Sequence, residues 1–261
     1  MNPTIYISID GVRPDAIQQT DTPALDKVIA GGASTMSAQS LMPNITLPCH
    51  TSTFFSLPAS RHGVISNDWA PMARPVPSIF DVAYKNGRKT AAFHCWGMFR
   101  NLSHPDNLSM QTIRHYVDYG AEVDWWVKED SVRFFEKETA DFTFIYFLMT
   151  DDIGHKHGWM SPEYLAELEK IDGFIGELLD VVPEDMTMLI HADHGGHERT
   201  HGTDCPEDMT IPWMIKGPTI KEGYTIQTAV SLLDTAPTIA HLLNIPPDKD
   251  WEGTAVLEAF K

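Results

Sequence analysis

Asp193, His194, His197 and His201 fall within HADHGGHERTHGTD, residues 191 to 204, where Gly195, Gly196 and Gly202 leave little apolar surface to pack. Imidazoles and carboxylates at this density suit a divalent metal better than a core. Two other stretches share the character. Ile9 runs into Asp10-Gly11, and Met149 runs into Thr150-Asp151-Asp152-Ile153-Gly154-His155. Each follows a segment rich in β-branched and aromatic residues. Ligands of open parallel sheets bind beyond the carboxyl ends of the strands, so these clusters are placed to face one crevice. Asp10, Asp151, Asp193, His155, His194 and His201 would then offer enough donors for two divalent ions with open positions left over. Zinc accepts this N/O set, and manganese or iron is compatible with the same ligand types. Two such ions ~4 Å apart clamp the attacking and leaving oxygens of an in-line displacement at phosphorus. Gly154, Gly195, Gly196 and Gly202 permit tight turns around them.

A nucleophile is expected in MPNITLPCHTSTFF, residues 42 to 55. Pro48 suits the first turn of a helix continuing towards Phe55, which puts Thr46 just ahead of that helix's positive end. A hydroxyl there can be ionised by a metal and stabilised by unpaired backbone N–H groups. A lone Thr before a helix is usually only a cap, so the segment rather than the residue carries this expectation.

The elements that must hold these groups follow from periodicity. Thr4–Ile9, Lys89–His94, Asp141–Met149 and Met186–His191 read as strands separated by helical patterns, which predicts a parallel sheet covered on both faces. The clearest helix starts at Ser161-Pro162, carries Tyr164, Leu165, Leu168, Ile171, Phe174, Ile175, Leu178 and Leu179 on one stripe, and ends within Asp180 to Pro183. Further helices are expected at Pro23–Ala30, Pro77–Lys85, Trp125–Lys137 and Leu232–Leu243. No linker divides the chain. Its 261 residues suffice for one α/β domain, taken as residues 1–261, that buries roughly three quarters of its unfolded surface.

Against 19 basic residues stand 36 acidic ones, a formal charge of −17 that repels polyanions and argues against a nucleic-acid polymer as partner. An anionic small molecule still binds if bound cations reverse the sign locally. The longest apolar run, Phe142 to Met149, is far short of the ~20 residues that span a bilayer. No basic-then-apolar leader precedes the first strand, and Cys49, Cys95 and Cys205 form no CxxC pair, so the expectation is a cytoplasmic protein without membrane contact. Trp69, Trp96, Met98 and Phe99 read as core, with no site role.

SIDGVRPD, NITLPCHTS, RHGVISND, TDDIGHKHG, ADHGG and THGTD occur in the order found in the alkaline phosphatase superfamily. Over residues 5 to 204 the chain resembles that superfamily's type I phosphodiesterase/nucleotide pyrophosphatase branch. The resemblance implies a three-layer α/β/α fold with a mostly parallel central sheet, and a metal-dependent phosphoric ester hydrolase acting on a small phosphoester or nucleotide. It implies that Asp10, Asp193 and His194 hold one metal ion, which also contacts the Thr46 oxygen, and that Asp151, His155 and His201 hold the other. Zinc is the expected metal. Asn67, in the HG-x-x-x-N arrangement after His62-Gly63, would hydrogen-bond a non-bridging phosphate oxygen. Thr46 would attack phosphorus, and water would resolve the phosphothreonine.

Departures and alternatives are also legible. Only six residues separate His194 from His201, where family diesterases often carry a long insertion, so the site should be less enclosed. His197 competes with His201 for the ligand role, and Thr203 and Asp204 extend the match of His201. His50, His157, His191 and His197 match no ligand position and read first as surface or capping residues, their functional alternative being to hydrogen-bond to the ligands. A phosphomonoesterase or phosphonate hydrolase would use the same centre, and a monoester dianion gains from an added cation, for which Arg61, Arg74, Arg100 and Arg199 are the candidates. Cys49 is followed by His50-Thr51-Ser52-Thr53 and does not fit the C/S-x-P-x-R of a sulfatase. A phosphomutase needs a cap domain for which little chain is spare. The alternative of another class, a non-catalytic metal- or phosphate-binding module, is disfavoured by the intact ligands and nucleophile.

Overall fold

Ile5, Tyr6, Ile7 and Ile9 are buried without alternation, as befits a strand covered on both faces. They belong to β1 (Thr4–Ile9), in the middle of an eight-stranded sheet completed by β2 (Ala33–Gln39), β3 (Thr90–His94), β4 (Met110–Ile113), β5 (Phe142–Phe147), β6 (Thr187–His191), β7 (Thr210–Lys216) and β8 (Tyr224–Thr225). The structure is a computed structural model and describes residues 2–261. The strand order is β4-β3-β5-β1-β6-β7-β2-β8, and only β7 runs antiparallel to its neighbours.

Helices cover both faces. Pro23–Ala30, Val123–Phe135 and Met149–His157 pack against the long helix Pro162–Val181. Thr46–Phe55, Ile79–Lys85 and Thr235–Leu242 pack on one another. The expected three-layer α/β/α architecture with a mostly parallel sheet is the one observed. Ser161 caps the long helix by accepting from the Tyr164 N–H at 3.2 Å, with Pro162 in the first turn, and Tyr164, Leu168, Ile171, Phe174, Ile175 and Leu178 form its buried stripe. Among the described residues no helix is long and apolar enough to cross a membrane.

All four expected strands and the expected helices are present, with shifted ends. Met149 closes no strand. It opens a helix, because the buried carboxylate of Asp124 accepts from the N–H groups of Leu148 (3.0 Å) and Met149 (2.8 Å) and satisfies donors that the new helix leaves unpaired. Leu232–Leu243 divides into a 3₁₀ turn, Leu232–Asp234, and the helix Thr235–Leu242. The strands not expected have weak signals. β2 is ASTMSAQ, mostly small and polar, and β7 carries Pro212. Pro has no N–H for the ladder, and β2 shifts register between Thr35 and Ala38, just where it faces Pro212.

Candidate metal centre and active site

The sheet brings the clusters together by register. Ile9 pairs with Phe147 and Ser8 with His191, so β5, β1 and β6 end level with one another. Asp10 follows β1 directly, Asp193 lies two residues past β6, and Asp151 and His155 sit one turn apart on the helix that follows β5. One crevice at this edge therefore receives acids and imidazoles from three separate strand ends.

Donor atoms of Asp10, Asp193 and His194 lie within 4.8 Å of one another, as do those of Asp151, His194 and His201. His194 Nε2 is 3.3 Å from Asp10 Oδ1 and 3.4 Å from Asp193 Oδ2, while His201 Nε2 is 3.6 Å from Asp151 Oδ1. His155 stands at the outer side, with Nε2 3.5 Å from Asp151 Oδ2. His194 thus faces both groups. The half holding Asp10, Asp193 and His194 is fully buried, and His155 is exposed.

Every ligating group but Asp151 is held from behind. The ring Nδ1 atoms of His155, His194 and His201 lie 3.0, 2.8 and 2.9 Å from the backbone carbonyls of Arg199, Gly195 and Asn44, which as acceptors put the proton on Nδ1 and leave Nε2 with a free lone pair. Asp193 Oδ1 accepts from the N–H groups of Gly11 and His194 at 3.2 and 3.0 Å. Asp10 Oδ2 accepts from the Tyr146 hydroxyl. The opposite atoms, Asp10 Oδ1, Asp151 Oδ1, Asp193 Oδ2 and His194 Nε2, are buried without any hydrogen-bond partner among the described residues. Buried polar atoms are nearly always satisfied, so four orphans aimed at common points mark a place built for a cation.

Electrostatics agrees. Burial, and then the charges of Asp193 and Asp151, push Asp10 well above the usual carboxylate range. Burial also raises Asp151, although the three histidines oppose it. It lowers His194, and together with His194 takes His201 down to about 4. Acids driven towards protonation beside imidazoles held neutral are relieved together by a divalent cation, which pairs with carboxylates and takes the Nε2 lone pairs. The residues present fit two divalent metal ions.

Thr46 is the first residue of its helix rather than the residue before it, and is nearly buried. Together with Asn67, Tyr146, Asp151 and His155 it lines a cavity of about 250 Å³, completed by Trp96, Tyr116, Leu148 and Asp152. Asn67 Oδ1 accepts from the Leu47 N–H at 3.0 Å, so its Nδ2 donors are left for another acceptor. His197 is not among the cluster: its Nδ1 lies 2.7 Å from Asp208 Oδ1. His50 supports the site through Nδ1, which is 2.8 Å from the Thr46 carbonyl and 3.5 Å from Asp193 Oδ2. His191 pairs with Thr235 and the Ala192 carbonyl, and His157 lies at the surface facing Glu163. Gly154 and Gly196 serve a purpose other than the one expected. A Cβ on either would meet the Trp159 indole at 2.8 or 2.2 Å, so both admit a close-packed tryptophan whose Nε1–H donates to the Gly11 carbonyl at 2.8 Å.

Several functional neighbours were invisible in the sequence. Trp96, assigned to the core, forms part of the cavity wall, and Tyr116 joins it. Tyr146 sits in a strand whose apolar neighbours mask its hydroxyl. Asn44 and Asp124 act through backbone contacts that no residue spacing encodes.

The mostly parallel sheet and the family match that follows place the chain in the alkaline phosphatase superfamily. The model of the type I phosphodiesterase/nucleotide pyrophosphatase family matches residues 4–208, and the chain belongs to that family. Rat ectonucleotide pyrophosphatase/phosphodiesterase family member 7 is 24% identical over 217 residues, covering 73% of this chain and 49% of that protein. The chain thus spans about half the length of that relative. In fold it is similar to an inactive form of murine ectonucleotide pyrophosphatase/phosphodiesterase 5 in complex with AMP, with a TM-score of 0.85 at 14% identity and 100% of both chains covered. It is also similar to the phosphonate monoester hydrolase from Silicibacter pomeroyi, with a TM-score of 0.78 at 14% identity, covering 98% of this chain and 76% of that one.

Proposed function

We propose that this chain hydrolyses phosphodiesters, nucleotide pyrophosphates among them, with Thr46 as nucleophile. The carrying observation is the set of orphaned buried donors that converge beside the cavity lined by Thr46 and Asn67. Asp10, Asp193 and His194 would hold one cation, and Asp151, His155 and His201 the other, with zinc best suited to the donor set and manganese or iron acceptable. Bound there, such ions would draw the Thr46 hydroxyl towards its alkoxide and offset the charge on the departing oxygen. Thr46 Oγ1 forms the new bond to phosphorus as the ester bond breaks, its proton passing to solvent. Asn67 Nδ2 donates to a non-bridging oxygen, and water cleaves the phosphothreonine to restore the hydroxyl.

Diesters are favoured over monoesters by charge. Among the described residues no lysine or arginine lines the Thr46 cavity, and Asp152, which does, is already paired with Lys156. Arg61 pairs with Glu252, Arg74 with Asp250 at 3.3 Å, and Arg100 lines a separate cavity. A monoester dianion would enter without the extra cation it needs, while a diester carries one charge that Asn67 and the ions can meet. The similar murine protein in complex with AMP and the aromatic wall of Trp96 and Tyr116 support a nucleotide as substrate.

The test is a comparison of bis-aryl phosphate, aryl phosphate, aryl phosphonate and a dinucleoside pyrophosphate on one preparation, before and after chelation and after adding back zinc or manganese. Turnover of the diester at least ~10-fold above the monoester, lost on chelation and restored by metal, is expected. A preference for the monoester, or turnover indifferent to chelation, would overturn it.

A further inference from the structure

His197, Cys205 and Asp208 form a second group with metal-ligand geometry. It differs from the first in that Asp208 is fully satisfied. Oδ1 lies 2.7 Å from His197 Nδ1, and Oδ2 accepts from the Thr203 N–H at 2.9 Å and the Thr203 hydroxyl at 2.8 Å. None of its side-chain oxygens is orphaned, and the residue is completely buried. A carboxylate spent in this way holds a loop.

From that loop the bonds continue to the site. The Thr203 carbonyl accepts from Asn44 Nδ2 at 2.7 Å, and the Asn44 carbonyl faces His201 Nδ1 at 2.9 Å. Asn44 lies two residues before Thr46. We propose that Asp208 is a positioning residue which, through Thr203 and Asn44, orients His201 towards its cation and couples that ligand to the segment bearing the nucleophile. This rests on the metal centre proposed above. His194 is reached differently: the Gly195 N–H donates to the Asp208 backbone carbonyl at 2.9 Å, a bond that side-chain substitution leaves intact. Changing the Asp208 side chain therefore acts on the half of the centre that contains His201 and spares the half that contains Asp10 and Asp193.

The test measures zinc stoichiometry by mass spectrometry and stepwise affinity by chelator competition on the full chain, for wild type and for Asp208→Asn, Asn44→Ala, Thr203→Val and Thr203→Ser. One of two affinities is expected to fall ~10–100-fold in the first three, the other staying within about threefold, with Thr203→Ser near wild type because it keeps the hydroxyl donor. General loosening of the fold would weaken both sites together and overturn the proposal, as would two unchanged affinities. Should Asp208→Asn not fold, the Thr203 pair decides by the same criterion. A wild type that binds no zinc, manganese or iron overturns the metal centre itself, an outcome distinct from unaltered binding in the variants.

Discussion

The rings of His194 and His201 stack with centroids 3.8 Å apart and planes 17° from parallel. Two imidazolium ions would not share that arrangement, and burial lowers both rings, His201 to about 4. As pH falls, the protons that compete with a cation are therefore taken up first by carboxyls, chiefly Asp10, which burial and its acidic neighbours hold well above the ordinary range. Cation uptake must displace such a proton, so affinity rises with pH until Asp10 is ionised without the cation. Calorimetry of zinc binding at about pH 6 in two buffers of different ionisation enthalpy is expected to show net proton release. Identical heats in the two buffers would count against this charge distribution.

Thr46→Ala is expected to lower kcat by on the order of 10³ or more while the metal content stays at the wild-type level, because the hydroxyl is the proposed nucleophile and not a structural ligand. Thr46→Ser should keep measurable turnover. Metal loss in parallel with activity would mean that the hydroxyl mainly holds an ion.

Tyr146→Phe removes the only donor that Asp10 Oδ2 has among the described residues. An unpaired buried carboxylate oxygen costs ~1–3 kcal/mol, so the metal-free variant should unfold at lower urea by that amount. Asp10 also becomes harder to ionise, and cation affinity should fall with it. Unchanged unfolding midpoints would show that another donor replaces the phenol.

Asp124→Ala strips both side-chain acceptors from the start of the helix that carries Asp151 and His155. Loss of a cap costs ~1–2 kcal/mol in unfolding free energy. Protection of the Leu148 and Met149 amides from hydrogen exchange should fall locally, and equal protection in the variant would refute the capping role.

His62 offers an acid-sensitivity test remote from the cluster. Its Nδ1 accepts from the Val64 N–H at 3.1 Å, so Nε2 carries the proton and donates to Ser52 Oγ at 3.0 Å. Protonating Nδ1 breaks the first bond, and burial lowers the imidazole to about 4. The unfolded chain binds this proton first, near ~6.5, so the stability from neutral His62 is complete above that pH. It declines by up to ~1.4 kcal/mol per unit as pH falls, levelling off below about 4. Urea titrations of wild type and His62→Gln between these limits should give a shallower slope for the variant.

Much of the fold was legible because strands buried on both faces are continuous apolar runs, as in Phe142–Phe147, and because Ser161-Pro162 announces a helix start. β2 and β7 were not, since ASTMSAQ lacks β-branched weight and Pro212 argues locally against a strand. They form because β6 offers β7 an open edge and β2 can bulge around the proline.

By itself the sequence determined that Asp10, Asp151 and Asp193 follow the central strands, although β5 stops at Phe147 rather than Met149, and the register of β1 with β5 and β6 brings those strand ends level. Only the tertiary structure brings His201, rather than His197 four residues away with equal ligand chemistry, to Asp151 and His194. The Asn44 carbonyl, 157 residues back along the chain, holds the Nδ1 of His201, while Asp208, 11 residues on, takes that of His197. Ring orientation depends on what lies behind the ring, and local spacing carries no record of that.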